Sequence, residues 1–127
     1  MRVGVDATSW VNRRGYGRFA RNAVGRLVAV DSRTAYVFVI DEASARSAEL
    51  PSGAETLVVK LSRPPAEAAS VDSYRPPADL LRVGFAASRA RFDALLFPSV
   101  YTYFPSLGAP SVVGVHDLTA AAFPELT

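Results

Sequence analysis

Two rhythms of apolar positions run along the chain. Val3–Val5 is a short apolar run closed by Asp6, and Tyr36–Ile40 (YVFVI) is a longer one stopped by Asp41 and Glu42. Thr56–Val59, Ala94–Phe97 (ALLF, ended by Pro98) and Ser111–Val115 (SVVGV) repeat the theme. Each run predicts a strand, and continuous rather than alternating apolarity implies burial on both faces, as in a parallel sheet. The second rhythm is helical. From Arg18 to Val30, Phe19, Ala23 and Leu27 recur every four residues with Ala20, Val24 and Val28 beside them. That is one broad stripe, with Arg18, Arg21 and Arg26 mostly off it, ended by Asp31 and Ser32. A second helix opens at Pro76–Pro77, since proline suits a first turn, with apolar positions at Leu80, Leu81, Val83, Gly84, Ala87 and Ala90. The segment 62–77, rich in Pro, Ala and Ser, reads as a loop.

Strands alternating with helices mean βαβ units, hence an α/β, Rossmann-like three-layer αβα arrangement around a mostly parallel sheet. In such a sheet ligands bind outside the carboxyl ends of the strands. Three chemically notable segments fall on that edge: the loop Ala7–Gly17 after the first strand, the aromatic loop with Tyr101, Tyr103 and Phe104 after the fourth, and His116-Asp117 after the fifth.

Composition narrows the picture. The 127 residues suit one domain with one real core, and a half-apolar, one-fifth-charged chain is globular rather than disordered. The lack of cysteine excludes a disulfide framework, a thiolate metal site and a cysteine nucleophile. No apolar run approaches the roughly 20 residues of a spanning helix, and the opening MRVGVDATSW lacks the apolar stretch of a signal peptide. The expectation is a cytoplasmic protein, with room for peripheral contact at the inner face of the membrane. Net charge is +2, yet Arg2, Arg13, Arg14, Arg18, Arg21 and Arg26 crowd the first 26 residues against Asp6 alone. Concentrated arginine suits phosphate or carboxylate, although a genome that spells its basic residues as arginine gives the same count. The clustering in one loop, rather than across a broad patch, speaks against nucleic acid.

Arg13-Arg14-Gly15-Tyr16-Gly17-Arg18 runs straight into the first helix. A helix N-terminus carries unpaired N–H groups and partial positive charge, and two glycines admit close backbone approach, so Arg14, Gly15, Tyr16, Gly17 and Arg18 are candidate contacts for a phosphate or diphosphate. The plain alternative is a turn with solvated arginines. Gly15, Gly17 and Ala20 also fit GxGxxA, with Asp41 where a ribose-binding acid would stand. However, eight residues, Trp10 among them, separate Asp6 from Gly15, whereas a dinucleotide fingerprint follows its strand at once. His116, the sole histidine, is a candidate to donate to a substrate hydroxyl or phosphate or to act in proton transfer. Asp117 would orient it or cap the next turn, and neighbouring strand residues pointing to opposite faces weigh against a direct relay. No serine nucleophile pattern and no metal-ligand spacing accompany them. Tyr101 and Tyr103 are candidates to stack on a sugar or acceptor, or else to cover the sheet edge; Trp10 is equally ambiguous.

Taken together, VGVDATSWVNRRGYGRFARNAVGRL, LLFPSVYTYFP and VVGVHDLTAAAFPE resemble, in order and spacing, the N-terminal domain of family 4 retaining glycosyltransferases. The resemblance spans nearly the whole chain and is weakest over residues 42–90. It implies half of a GT-B fold, two Rossmann-like domains facing a cleft, of which residues 1–127 would be an incomplete, acceptor-side N-terminal domain lacking the C-terminal donor-binding domain and its glutamates. It implies that Gly15 and Gly17 lie against donor phosphates and acceptor, that His116 faces the transferred sugar with Asp117 beside it, and that no cofactor or metal is needed. The partners expected are a nucleotide-sugar donor, as co-substrate, and a sugar, lipid or small-molecule acceptor, with a homodimer as a further expectation. The final residues Phe123–Thr127 predict no closing helix, hence a fragment inactive alone. Two other classes stay open: a non-catalytic sugar- or phosphate-binding module, and an NAD(P)-dependent oxidoreductase.

Overall fold

A computed structural model describes residues 1–67 and 74–126. The middle of the expected loop 62–77 and residue 127 lie outside the described residues. Five strands form one sheet: β1 (Arg2–Asp6), β2 (Ala35–Asp41), β3 (Glu55–Val59), β4 (Ala94–Phe97) and β5 (Ser111–Val113). Their spatial order is β3-β2-β1-β4-β5, and every pairing is parallel, with Val5 opposite Phe38 on one side and Leu96 on the other. The chain builds outward from β1 to β3, then returns across β1 to lay down β4 and β5. A Rossmann-like α/β fold is therefore what the two rhythms encode.

The strand runs are apolar throughout because each face has its own core. Val3, Val5, Phe38 and Ile40 pack with Ala20 and Val24 of α1 (Gly15–Val30) on one face. Val37, Val39, Leu95 and Phe97 pack with Val83 and Ala87 of α3 (Pro77–Arg89) on the other. The alternation along β2 thus sends 38 and 40 one way and 37 and 39 the other. Burying a side chain such as Phe38 or Phe97, both fully inaccessible, contributes about 1.5–3 kcal/mol each. At the end of α1, Asp31 accepts from the Arg33 amide and the Tyr36 hydroxyl and so turns the chain into β2. Donation from the Thr34 hydroxyl, the Arg33 amide and the Tyr36 hydroxyl, in that order, holds its carboxyl at about 2.

Several expectations shift. α1 begins at Gly15, three residues before Arg18, because Asn12 Oδ1 accepts from the Arg14 amide and sets Arg14 as the residue from which the helix winds. Half of the expected stripe of α1 stays outside: Ala20 and Val24 are buried and Val28 half-buried, whereas Phe19, Ala23 and Leu27 are exposed. β5 stops at Val113 rather than Val115. Gly114 still takes the next rung, its N–H donating to Phe97 O at 2.8 Å. At Gly114 the backbone passes so close to Pro98 that a Cβ would lie 2.7 Å from its carbonyl oxygen, and beyond it the chain leaves the ladder. Short elements escape the rhythms altogether: α2 (Glu42–Ala45), α4 (Thr119–Ala122) and 3₁₀ turns at Val100–Thr102 and Pro124–Leu126. After Val113 the chain carries two of them, α4 and the turn Pro124–Leu126, the second within the final residues expected to hold no closing helix. No helix among the described residues is long and apolar enough to cross a membrane.

Candidate functional site at the carboxyl rim

The order of the strands reverses between β1 and β4, and the crevice outside the carboxyl ends at such a switch point is the place where open α/β sheets take ligands. Asp6, the last residue of β1, lies at its base and is fully buried. Its Oδ1 accepts from the Thr8 amide (3.0 Å) and the Thr8 hydroxyl (2.6 Å), and its Oδ2 accepts from the Thr102 hydroxyl. Burial pushes the Asp6 carboxyl above its ordinary range, opposed by the Thr102 and Thr8 donors and by the charge of Arg75. Arg75 in turn donates to Tyr103 O at 2.6 Å. Burial lowers its guanidinium, while Asp6 and Asp79 pull it back up. The loop after β4 is thus held from below by a carboxylate and from the side by an arginine. Neither residue is a sequence motif; an apolar strand ending in an acid was the one visible sign.

The loop after β1 is organised by Asn12. Its Oδ1 accepts from the Arg14 amide (2.7 Å), its Nδ2 donates to Ala66 O (2.7 Å), and its carbonyl accepts from Arg21 Nη1 (2.9 Å). Arg21 also donates to Trp10 O. A charge expected to serve an anion is committed to the loop itself, and Arg2, at the amino end of β1, pairs with Glu55 at 3.0 Å. Arg13, Arg14 and Arg18 are the exposed arginines at the rim. Trp10 proves structural: its ring packs edge-on against Phe38 and its Nε1 donates to Glu49 O. The two glycines part company. At Gly17 a Cβ would stand 2.0 Å from Asn12 O, so the absent side chain lets the loop fold onto the helix; at Gly15 a Cβ would meet nothing within 4 Å. The first turn of α1 has no side-chain cap and no acid, so its amides keep their attraction for an anion.

Ring contacts join this turn to the other two segments. Tyr16, 9% exposed, packs against Tyr101 with centroids 5.6 Å apart. Its hydroxyl is close enough to the Asn12 amide to feel it, yet no hydrogen bond of proper geometry joins them. Burial raises the phenol, with Arg14 and Asn12 acting against the rise. Phe19 meets His116 edge-on at 4.4 Å. His116 Nε2 lies 2.6 Å from Pro98 O, and because a carbonyl only accepts, Nε2 carries the proton and Nδ1 of the neutral ring carries the lone pair. His116 sits three residues past the end of β5 and is exposed, as is Asp117. Off the strand, the opposite-face argument against a His–Asp contact no longer applies.

Tyr101 and Tyr103 are both exposed by a little over two-fifths, Tyr103 with its ring tilted on Phe97 at 4.8 Å. Phe104 is completely buried in the α3-side core, which settles it as packing. Asp41 is buried; its Oδ2 accepts from the Ser44 amide as the cap of α2, and its Oδ1 has no hydrogen-bond partner among the described residues. Among the described residues, no three His, Cys, Asp or Glu side chains gather into a metal-binding group. No family model, no curated protein and no solved structure matches the chain.

Proposed function

We propose that this chain is the acceptor-side half of a retaining glycosyltransferase, which moves a sugar from a nucleotide-sugar to a sugar, lipid or small-molecule acceptor. The support is the pair of ring contacts, Tyr16 on Tyr101 and Phe19 on His116, that gathers three sequence-distant segments onto one rim. On that rim the uncapped first turn of α1 offers amides and the Arg14 and Arg18 charges to a diphosphate. Tyr101 and Tyr103 offer half-exposed faces to a sugar ring. His116, fixed through Nε2 by Pro98, presents Nδ1 as an acceptor for a hydroxyl proton, with Asp117 next to it in the chain. Residues 1–127 then supply positioning and one imidazole, while the donor is held chiefly by a second domain. The eight residues between Asp6 and Gly15 disfavour an oxidoreductase using a nicotinamide cofactor, whose glycine turn follows its strand at once.

The test is a titration of the protein with a panel of nucleotide-sugars, followed by amide chemical shifts. The expected outcome is perturbation confined to Gly15–Arg18, the segment around Tyr101 and His116. In the enzyme that carries both domains, His116→Ala lowers transfer about 100-fold or more, the usual span for a lost proton-transfer group, while the unfolding midpoint hardly moves. Unchanged turnover removes His116 from the chemistry. Tight NADH binding at the same amides replaces this reading with the oxidoreductase.

A further inference from the structure

α3 buries Asp79, Val83, Gly84 and Ala87 and turns a different face outward. Leu81 and Phe85, four residues apart, are 68% and 65% exposed, and Leu107 on the neighbouring turn is 84% exposed. Between them lies an open apolar cleft of about 370 Å³, lined by Leu81, Phe85, Pro105 and Leu107. A second cavity of about 300 Å³ shares Ser88, Ser106 and Leu107 with it and reaches Arg91. The turn is fixed in place: Leu107 N donates to Ser88 Oγ (2.8 Å), which donates to Gly84 O (2.7 Å), and the Gly84 backbone is so close to Pro105 that a Cβ would stand 2.0 Å from its oxygen. Three apolar tips are therefore held out into water by a rigid support, an arrangement that marks an interaction surface.

The charge around these tips is mostly basic. Arg82 pairs with Asp79, Arg89 stands 5.6 Å from the Phe85 ring centroid, and Arg91 follows the helix. Neither Arg89 nor Arg91 forms an ion pair among the described residues. Arg91 has φ 53°, the left-handed region, at the position after the helix end where glycine is usual. A strained arginine where glycine would be relaxed points to use of its guanidinium. Of the nearby acids, Asp79 is buried under donors from Ser62 and Arg63, whereas Asp93 is exposed beside Arg91 in the second cavity and accepts from the Arg2 amide, so Arg89 and Arg91 outnumber it.

We infer that this face docks on an anionic membrane surface, with Leu81, Phe85 and Leu107 entering the acyl boundary while Arg89 and Arg91 reach back to lipid phosphates. Arginine favours this split, its stem lying along apolar matter and its head in the polar layer. A fluid interface also accommodates protruding tips and a cleft together, where a rigid partner would need to match both. The inference stands apart from sugar transfer, since none of these residues belongs to the rim.

The experiment is co-sedimentation of the whole chain with phosphatidylcholine vesicles prepared with and without phosphatidylglycerol. Binding is expected only with the anionic lipid and weakens with added salt. Arg89→Gln and Arg91→Gly each weaken it about five-fold, the worth of one basic residue near a charged bilayer. Arg91→Gly is expected to leave the melting temperature unchanged or higher, which separates docking from folding. Phe85→Ser and Leu107→Ser, both at exposed positions, also release the protein. Equal binding to neutral vesicles, indifference to these four substitutions, or no binding overturns the proposal. So does self-association, or capture of an acidic protein, through the same residues without vesicle binding.

Discussion

The loop after β1 and the segment after β5 both reach the carboxyl rim, but they are secured in opposite ways. The first is pinned along its length: Thr8 on Asp6, Trp10 on Glu49, Asn12 on Arg14 and Ala66, Arg21 on two carbonyls. Its residues Ala7 to Trp10 are buried. The second has Val115 through Leu118 exposed, with His116 held by Pro98 and flanked by Phe19. Local opening free energy follows buried contacts and shielded hydrogen bonds, so the imidazole belongs to the softer side of the rim and the turn that opens α1 to the stiffer side. On the proposed function, such a rim would offer a preformed anion cradle and a proton acceptor that adjusts when substrate arrives.

Removing the deepest pin has the largest effect. Asp6→Ala leaves the Thr8 amide and hydroxyl and the Thr102 hydroxyl without their acceptor and Arg75 without a nearby opposite charge, and is expected to destabilise the fold by about 3 kcal/mol or more in urea unfolding. A loss under 1 kcal/mol, similar to that of an exposed residue, would erase the contrast between the two regions. Gly17→Ala comes next, at about 1–3 kcal/mol, because the new methyl meets Asn12 backbone rather than a flexible side chain. Gly15→Ala, two residues earlier and in open space, is expected to stabilise by about 0.5–1 kcal/mol. If both substitutions have the same sign, the loop is not folded onto the helix as described.

A finer discrimination comes from pH. The folded state holds the Asp6 proton more tightly than the ordinary value of 3.8 allows. Its contribution is therefore fully present below that value and is lost as pH rises through the raised folded pKa. The stability of the natural protein relative to Asp6→Asn should increase between neutral pH and pH 4, read as a widening difference in urea midpoints. A flat difference would mean that the carboxyl is not desolvated.

The strands and the sheet class were legible because apolar runs closed by acids or proline report burial on both faces, and nothing in YVFVI or ALLF competes with that message. The position of the rim was legible for the same reason, since strand ends are marked in the sequence. The internal wiring was not. Arg21 looks like its neighbours Arg18 and Arg26, and what singles it out is the placement of two carbonyls nine and eleven residues earlier. Asn12, two residues before Arg14, carries a recognisable Asx-turn signal whose consequence is an earlier helix start. Half the apolar stripe of α1 remained outside because periodicity reports a face without reporting what lies against it.

The Asp6–Thr102 hydrogen bond joins residues 96 positions apart. During synthesis, the first strand therefore emerges long before its carboxylate has a permanent owner. Until β4 has inserted beside β1, that acid must stay hydrated and the glycine turn above it unfinished. Loop closure over such a separation is slow, so maturation of the rim is expected to be among the last events of folding.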